Sequence, residues 1–420
     1  MARHLEVYLH RHLVGNLIQT DHGDINYAYL ESWIANPAAS PLSQSLPLRP
    51  EPFTSKECRG FFGGILPEGE KRRIIANNLG ISAKNDFAML GEIGGECAGA
   101  VTFLQPGEEM PAAGAQYRPL PDYELARLLR SLPRRPLLAG EGDIRLSLAG
   151  AQDKIAVYIE DYITDSVHTE IISLPLGGAI SSHILKPAIE RMEDVVLNEA
   201  LCMSLARAVG LPTASAEMRQ LEDIDYLLVK RYDRVRNQGQ PLKRLHQEDF
   251  CQAMGIISEN KYQNEGGPSL EQCFQLVRKT SSMPARDILA LLDGVIFNFL
   301  IGNNDAHGKN FSLLYQGETK KVQLAPFYDL LCTAYYPDLT QKMAMKIGGE
   351  TMADNIYPRH FDRFSEAAGL SKPGVKRRVL ELASAIQKRL PEVTPGGRIA
   401  SGIASLIRER CKSTIQRFGK

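Results

Sequence analysis

The stretch ILALLDGVIFNFLIGNNDAHGKNFSLLYQGETKKVQLAPFYDLLC, residues 288–332, decides the fold. Its first part, from Ile288 to Ile301, is apolar almost all round, which predicts a helix buried on every side. Gly302 and Asn303 supply a helix stop. The polar run Asn304-Asp305-Ala306-His307-Gly308-Lys309-Asn310 follows at once. Two strand-like segments come next, FSLLY and KVQLAPFYD, with a turn at Gly317 between them, and the second delivers Asp329.

A rigid helix, a polar loop and a hairpin ending in a carboxylate would bring Asp305, Asn310 and Asp329 together. Phosphoryl transfer needs such a set. One carboxylate orients the attacking hydroxyl and takes its proton, while an amide oxygen and a second carboxylate hold magnesium on the phosphates. The spacing from Asp305 to Asn310 equals that in the protein-kinase catalytic loop, H-R-D-x-x-x-x-N. Asp, Asn and Gly also favour plain turns, and the match alone is weak. The buried helix before it and Asp329 in register after it strengthen the pattern. His307 reads either as a structural loop residue or as a contact to phosphate or the metal shell.

Moving outward, SSHILKP ends an extended apolar segment on Lys186, and Pro187 disfavours helix before it. A phosphate-contacting lysine fits there; so does an edge-strand lysine in water. Ser147-Leu-Ala-Gly-Ala-Gln-Asp-Lys154 puts small residues between two strands, where backbone N–H groups can approach phosphate. It is not a Walker A sequence. Glu199, on the helix VVLNEALCMSLARAVG, either pairs with Lys186 or faces solvent.

The 420 residues exceed one ordinary domain. Residues 1–104 read as a small mixed domain, with a hairpin in LEVYLHRHLVGNLIQ turning near Gly15 and a helix in LPEGEKRRIIANNLGI stopped at Gly80. Residues 105–142 are a Pro- and Gly-rich connector with one short helix around Tyr123–Leu132. In 143–235, IRLSL, KIAVYIE, SSHILKP, SAEMRQL and DYLLVKRYD read as strands around one helix, a nucleotide-binding lobe. In 236–420 helices dominate, interrupted only by the strand pair near 311–326, and ISENKYQNEGGPS (257–269) reads as a mobile loop.

Lys+Arg and Asp+Glu balance at 49 each, so no global charge pulls the chain onto nucleic acid or membrane. From Lys372 to Lys420, however, 12 basic residues face 3 acidic ones, a net of +9 that reads as a solvated helical face or a phosphate-backbone contact. The seven cysteines are scattered without a C-x-x-C pair, which argues for reduced thiols and against a zinc site. The N-terminus lacks a signal-peptide core, and no apolar run approaches the roughly 18 residues that span a bilayer. The expectation is a cytoplasmic protein without a membrane partner.

Taken in order, FFGGILPEGEKRRIIANNLGI, GGECAGAV, SLAGAQDK, SHILKP, NEALCMSLARAVGL, KRYDR, HQEDFCQAMG, IGNNDAHGKNFSLL and LAPFYDLL resemble the HipA family, the serine/threonine kinase toxins of type II toxin–antitoxin modules. The resemblance covers most of the chain. It implies an α+β, protein-kinase-like bilobal fold using ATP and Mg2+. Asp305 would be the catalytic base, and Asn310 and Asp329 the magnesium ligands. Lys186 would meet the ATP phosphates, and Ala149, Gly150, Ala151, Gln152, Asp153 and Lys154 would form the phosphate loop. Lys230, Arg231 and Tyr232 would be the hinge at adenine, and His307, Lys309 and Tyr328 join the nucleotide-site candidates.

The resemblance makes Ser147 an autophosphorylation site whose modification expels the loop. It also implies a HipB-like helix-turn-helix antitoxin that carries the chain to operator DNA, and an aminoacyl-tRNA synthetase as the protein substrate. Two departures stand out. Lys230 occupies a hinge position where an acidic residue is common, and the loop reads N-N-D-A-H rather than H-R-D. A small-molecule kinase of the aminoglycoside type and an idle subunit of a DNA-bound repressor are the alternatives.

Overall fold

The computed structural model describes residues 3–110, 116–164, 167–189, 192–236, 240–317 and 321–419. Residues 111–115 of the connector and 318–320 of the turn after Gly317 lie outside the described residues. Two compact units divide the chain. The first takes Met1–Pro187, Arg219–Ser258 and Leu314–Lys320; the second takes Ala188–Met218, Glu259–Leu313 and Lys321–Lys420.

The first unit opens with an antiparallel sheet, order β3-β2-β1-β4, made of β1 (Arg3–Leu9), β2 (His12–Gln19), β3 (Ile25–Tyr29) and β4 (Val101–Leu104). Leu5, Val7 and Leu9 point inward in alternation, as a half-covered sheet requires. The hairpin turns at His10 and Arg11, not near Gly15. Gly15 sits inside β2 opposite Val7, beside a bulge, and a Cβ there would lie 2.4 Å from the Ala28 carbonyl oxygen. The glycine marks a close approach between strands rather than a turn. The helix Gly69–Leu79 does stop at Gly80, in the left-handed conformation.

A second sheet has the order β5-β7-β6-β8-β10-β9, from β5 (Tyr117–Pro119), β6 (Ile155–Thr164), β7 (Val167–Pro175), β8 (His183–Pro187), β9 (Ala216–Leu221) and β10 (Ile224–Lys230). Strand β7 was not anticipated. IRLSL is not a strand; it contributes only a bridge between Leu146 and Glu96. Leu5, Phe62 and Phe103 share one apolar core with Val157, Leu185 and Leu228, so the N-terminal segment and this sheet are packed as one body.

That packing includes five buried charges. Glu96 meets Arg231 at 3.1 Å, Arg234 at 2.9 Å and Arg244 at 2.5 Å, while Asp233 holds Arg231 and Arg234 at 2.8 Å each. Burial alone would raise the Glu96 carboxyl, but the three guanidiniums outweigh it and hold it below its usual range. Asp233 also accepts the Gly99 N–H at 2.7 Å.

The second unit is mainly helical: Val195–Ala208, Leu270–Thr280, Pro284–Ile301, Pro358–Ala367, Lys372–Val393 and Arg398–Phe418. A strand pair, Lys342–Ile347 with Glu350–Met352, interrupts the helices a second time, contrary to expectation. The basic C-terminal end is partly internal. Arg378 clasps Asp293 through two bonds of 2.6 and 2.7 Å, Arg410 donates to the Phe299 carbonyl, and Arg417 donates to those of Asp354 and Ile356. All seven cysteines are buried and free of disulfides. Among the described residues, no helix is long and apolar enough to cross a membrane.

Candidate active site

The helix Pro284–Ile301 is covered almost all round from Leu291 onward, with Leu291, Ile296, Phe297, Leu300 and Ile301 fully buried. Residues 284–286 and Leu289 are exposed, so the burial expected on every side from Ile288 begins one turn later. It ends where Gly302 turns left-handed (φ +75°) and donates to the Asn298 and Phe299 carbonyls. Its middle is shaped for one neighbour. A Cβ on Gly294 would lie 2.4 Å from Phe327 Cζ, so only glycine lets that ring rest on the helix. Phe327 is further fixed by two backbone bonds, to the Pro212 carbonyl and from the Ala214 N–H. Two residues on, Asp329 adopts φ +55°, a left-handed conformation that costs a non-glycine residue on the order of 1–3 kcal/mol. Such strain persists only where surroundings impose it.

Asn303 ties the two carboxylate-bearing segments together. Its side-chain oxygen accepts the Asp305 N–H at 3.3 Å, and its amide nitrogen donates to the Asp329 carbonyl at 3.4 Å and to Asn298 Oδ1 at 2.8 Å. The loop is held from outside as well. The Asn304 N–H donates to the Thr333 hydroxyl, and the Asn304 carbonyl accepts from Ala344. Asn310 closes the short turn Gly308–Asn310, with its N–H on the His307 carbonyl at 2.9 Å. Tyr328 bonds the Lys309 carbonyl and Ser312 through its hydroxyl, so here it straps the loop in place. His307 and Lys309 are buried.

The segment 257–269, expected to be a mobile loop, is built of two short turns, Ser258–Asn260 and Gln263–Glu265. It delivers the Tyr262 hydroxyl to Asp305 Oδ1 at 2.8 Å. Neither Tyr262 nor the bridging role of Asn303 was anticipated. Asn303 was visible only as a helix stop, and Tyr262 lies 43 residues away from its partner with no local signal.

In the first unit, Lys186 occupies β8, between β6 and β10, and is only 6% exposed. It is therefore not an edge lysine in water, and a buried ammonium is retained only where something compensates its charge. Glu199, in the second unit, is likewise buried rather than solvent-facing. The 147–154 segment is pinned along its length. Ser147 is fully buried, its hydroxyl donating to the Ile65 carbonyl at 3.0 Å and its N–H to the Glu96 carbonyl. Gly150 pairs with Pro67 and accepts the Glu68 N–H; Lys154 donates to the Ala149 carbonyl at 2.7 Å; Asp153 meets Lys71 at 2.7 Å.

The hinge candidates divide. Lys230 is exposed, and Tyr232 bonds Gln247 through its hydroxyl. Arg231 is committed elsewhere: its side chain belongs to the Glu96 network, and its N–H donates to the Ser182 carbonyl at 3.0 Å. No group of three or more His, Cys, Asp or Glu residues suited to a metal occurs among the described residues. The amide and carboxylate oxygens of Asn310 and Asp329 are hard donors that suit magnesium, which is ordinarily held by one or two protein ligands plus phosphate and water.

Two family models match most of the chain. The HipA N-terminal domain family matches residues 5–104, and the HipA-like C-terminal domain family matches 146–390. Y4mE of Sinorhizobium fredii, which carries a kinase name, is 45% identical over 396 residues, 93% of this chain and 92% of its own. The serine/threonine-protein kinase toxin HipA of Shewanella oneidensis is 29% identical over 377 residues, 87% of this chain and 83% of its own. The solved complex of Shewanella oneidensis HipA with HipB and operator DNA superposes with a TM-score of 0.84 at 26% identity, covering 99% and 98% of the two chains. This chain belongs to the HipA family, the family of the serine/threonine-protein kinase toxin HipA.

Proposed function

We propose that the protein is an ATP- and magnesium-dependent serine/threonine protein kinase toxin in which Asp305 is the base. The observation that carries this reading is the Asn303 bridge, which binds the Asp305 and Asp329 segments to one amide while Asp329 is held left-handed. Asp305 orients the acceptor hydroxyl and takes its proton. Asn310 and Asp329 are the magnesium ligands, and the bound ion supplies charge neutralisation on the phosphates. Lys186 and the loop from Ala149 to Lys154 are the phosphate-binding residues, and Lys230 and Tyr232 form the hinge.

Ser147 is the self-modification site of this reading. Its hydroxyl is sealed under the Ile65 carbonyl, so the loop must leave before that hydroxyl can react. Once phosphorylated, it carries about −1.5 to −2 charges and is repelled by the Ile65 carbonyl oxygen that received its proton. The modification would therefore switch the site off. The physiological substrate is proposed as an aminoacyl-tRNA synthetase, whose phosphorylation would arrest growth. A HipB-like helix-turn-helix antitoxin would neutralise the toxin in the cytoplasm and bring it to operator DNA.

Mapping phosphosites by mass spectrometry after incubation of dephosphorylated protein with Mg–ATP tests this directly. The expected result is phosphate on Ser147 in wild type and none at that position in Ser147→Ala. An unmodified wild-type protein that also fails to bind ATP would overturn the kinase reading.

A further inference from the structure

The contact between Tyr262 and Asp305 is built rather than incidental. The Tyr262 carbonyl accepts the N–H groups of Glu265 at 2.9 Å and Gly267 at 2.8 Å, closing its backbone into a tight turn. The next residue, Gln263, accepts the Lys346 N–H at 2.7 Å, which pins the turn to the strand Lys342–Ile347. The ring itself meets His307 edge-on, with centroids 5.3 Å apart and planes at 79°. His307 in turn donates its N–H to the Asp305 carbonyl at 2.8 Å. Tyr262 thus touches the loop on both sides of Ala306, with its hydroxyl on the carboxylate and its ring against His307.

A carboxylate rotates easily about its terminal bond, where the torsion is broad and two-fold. A base must nevertheless point one oxygen at the acceptor proton. A fixed donor on Oδ1 sets the plane of the carboxylate that receives the proton. We propose that Tyr262 is a positioning residue for Asp305, acting through this hydrogen bond; the proposal rests on Asp305 being the base. Ordering the base this way belongs to the chemical step and not to nucleotide binding, so its removal should lower turnover and leave the ATP requirement alone.

The test uses full-length wild type, Tyr262→Phe, Gln263→Ala and Asp305→Asn, each dephosphorylated and then given Mg–ATP over a range of concentrations. The initial rate of self-labelling and the melting temperature are read for each. Tyr262→Phe, which keeps the ring on His307, should lose about tenfold in maximal rate, with half-saturating ATP and melting temperature unchanged. Gln263→Ala keeps the hydroxyl but loosens its turn, and should lose less. If Tyr262→Phe equals or exceeds wild type while Asp305→Asn is silent, the positioning role is wrong and the kinase reading stands. A loss in Tyr262→Phe that comes with raised half-saturating ATP and a lower melting temperature also overturns it, because that is a structural effect. Labelling of Asp305→Asn at the wild-type rate overturns both readings.

Discussion

Around Glu96, two carboxylates meet three guanidiniums, and none of those side chains is more than 8% exposed. Around Asp305 the arrangement is different: the Tyr262 hydroxyl donates to a carboxylate that remains partly exposed, and the Asn303 side-chain oxygen accepts the Asp305 backbone N–H. The first arrangement spends both carboxylates on guanidiniums that are buried with them. The second gives Asp305 Oδ1 a hydroxyl donor on a carboxylate that is open to solvent on one side. Charges paired out of water hold the fold, whereas a partly exposed carboxylate with one oriented oxygen can do chemistry.

The comparison breaks most visibly at Glu96. Glu96→Gln leaves three buried guanidiniums short of a counter-charge, and should cost about 3–5 kcal/mol in urea unfolding followed by circular dichroism. A cost near zero would mean that the cluster is not the clasp described here. Asn303→Ala should act the other way round. Losing the amide that joins the Asp305 and Asp329 segments should cut self-labelling by about 10- to 100-fold, while stability falls by only about 1–2 kcal/mol. Equal damage to both readouts would dissolve the distinction between the two regions.

Glu248 sharpens the comparison with a smaller effect. Like Asp305 it has neutral partners, accepting from the Ser43 hydroxyl, the Gln44 N–H and the Tyr315 hydroxyl, but it is fully buried. Burial pushes its carboxyl up to about 7, against the lowering effect of those donors. A folded-state value above the unfolded one gives stability that is complete below about pH 4.5 and lost as pH rises through about 7. Glu248→Gln should remove that slope, for a gain of about 1–2 kcal/mol over wild type at pH 8 relative to pH 4.5, read from melting curves across pH. A variant with the wild-type slope would show that this carboxyl does not titrate in the range.

Local signals in the sequence were enough for the helix Pro284–Ile301 and its stop at Gly302, because apolar residues all round and a following glycine have few other readings. The same holds for the Gly80 stop. What escaped was non-local. Gly15 looked like a turn because a glycine's need for space and its tolerance of turns leave the same letter in the sequence. The Glu96 cluster joins Glu96 to arginines 135 to 148 positions away, each an unremarkable charge in its own segment. Segment 257–269 is rich in Gly, Asn and Glu, which favours loops, and nothing in that composition tells a mobile loop from one tied down by Gln263 and Tyr262.

The central claim is that the Asp305 cluster is chemical and not architectural, and the substitution Asp305→Asn tests it most directly. The side chain keeps its size and an oxygen for Tyr262 but loses the charge. Single-turnover transfer of the ATP γ-phosphate to the protein should fall by at least about 100-fold, with the unfolding midpoint unmoved. Transfer at the wild-type rate, or an Asp305→Asn protein as destabilised as Glu96→Gln, would contradict the account.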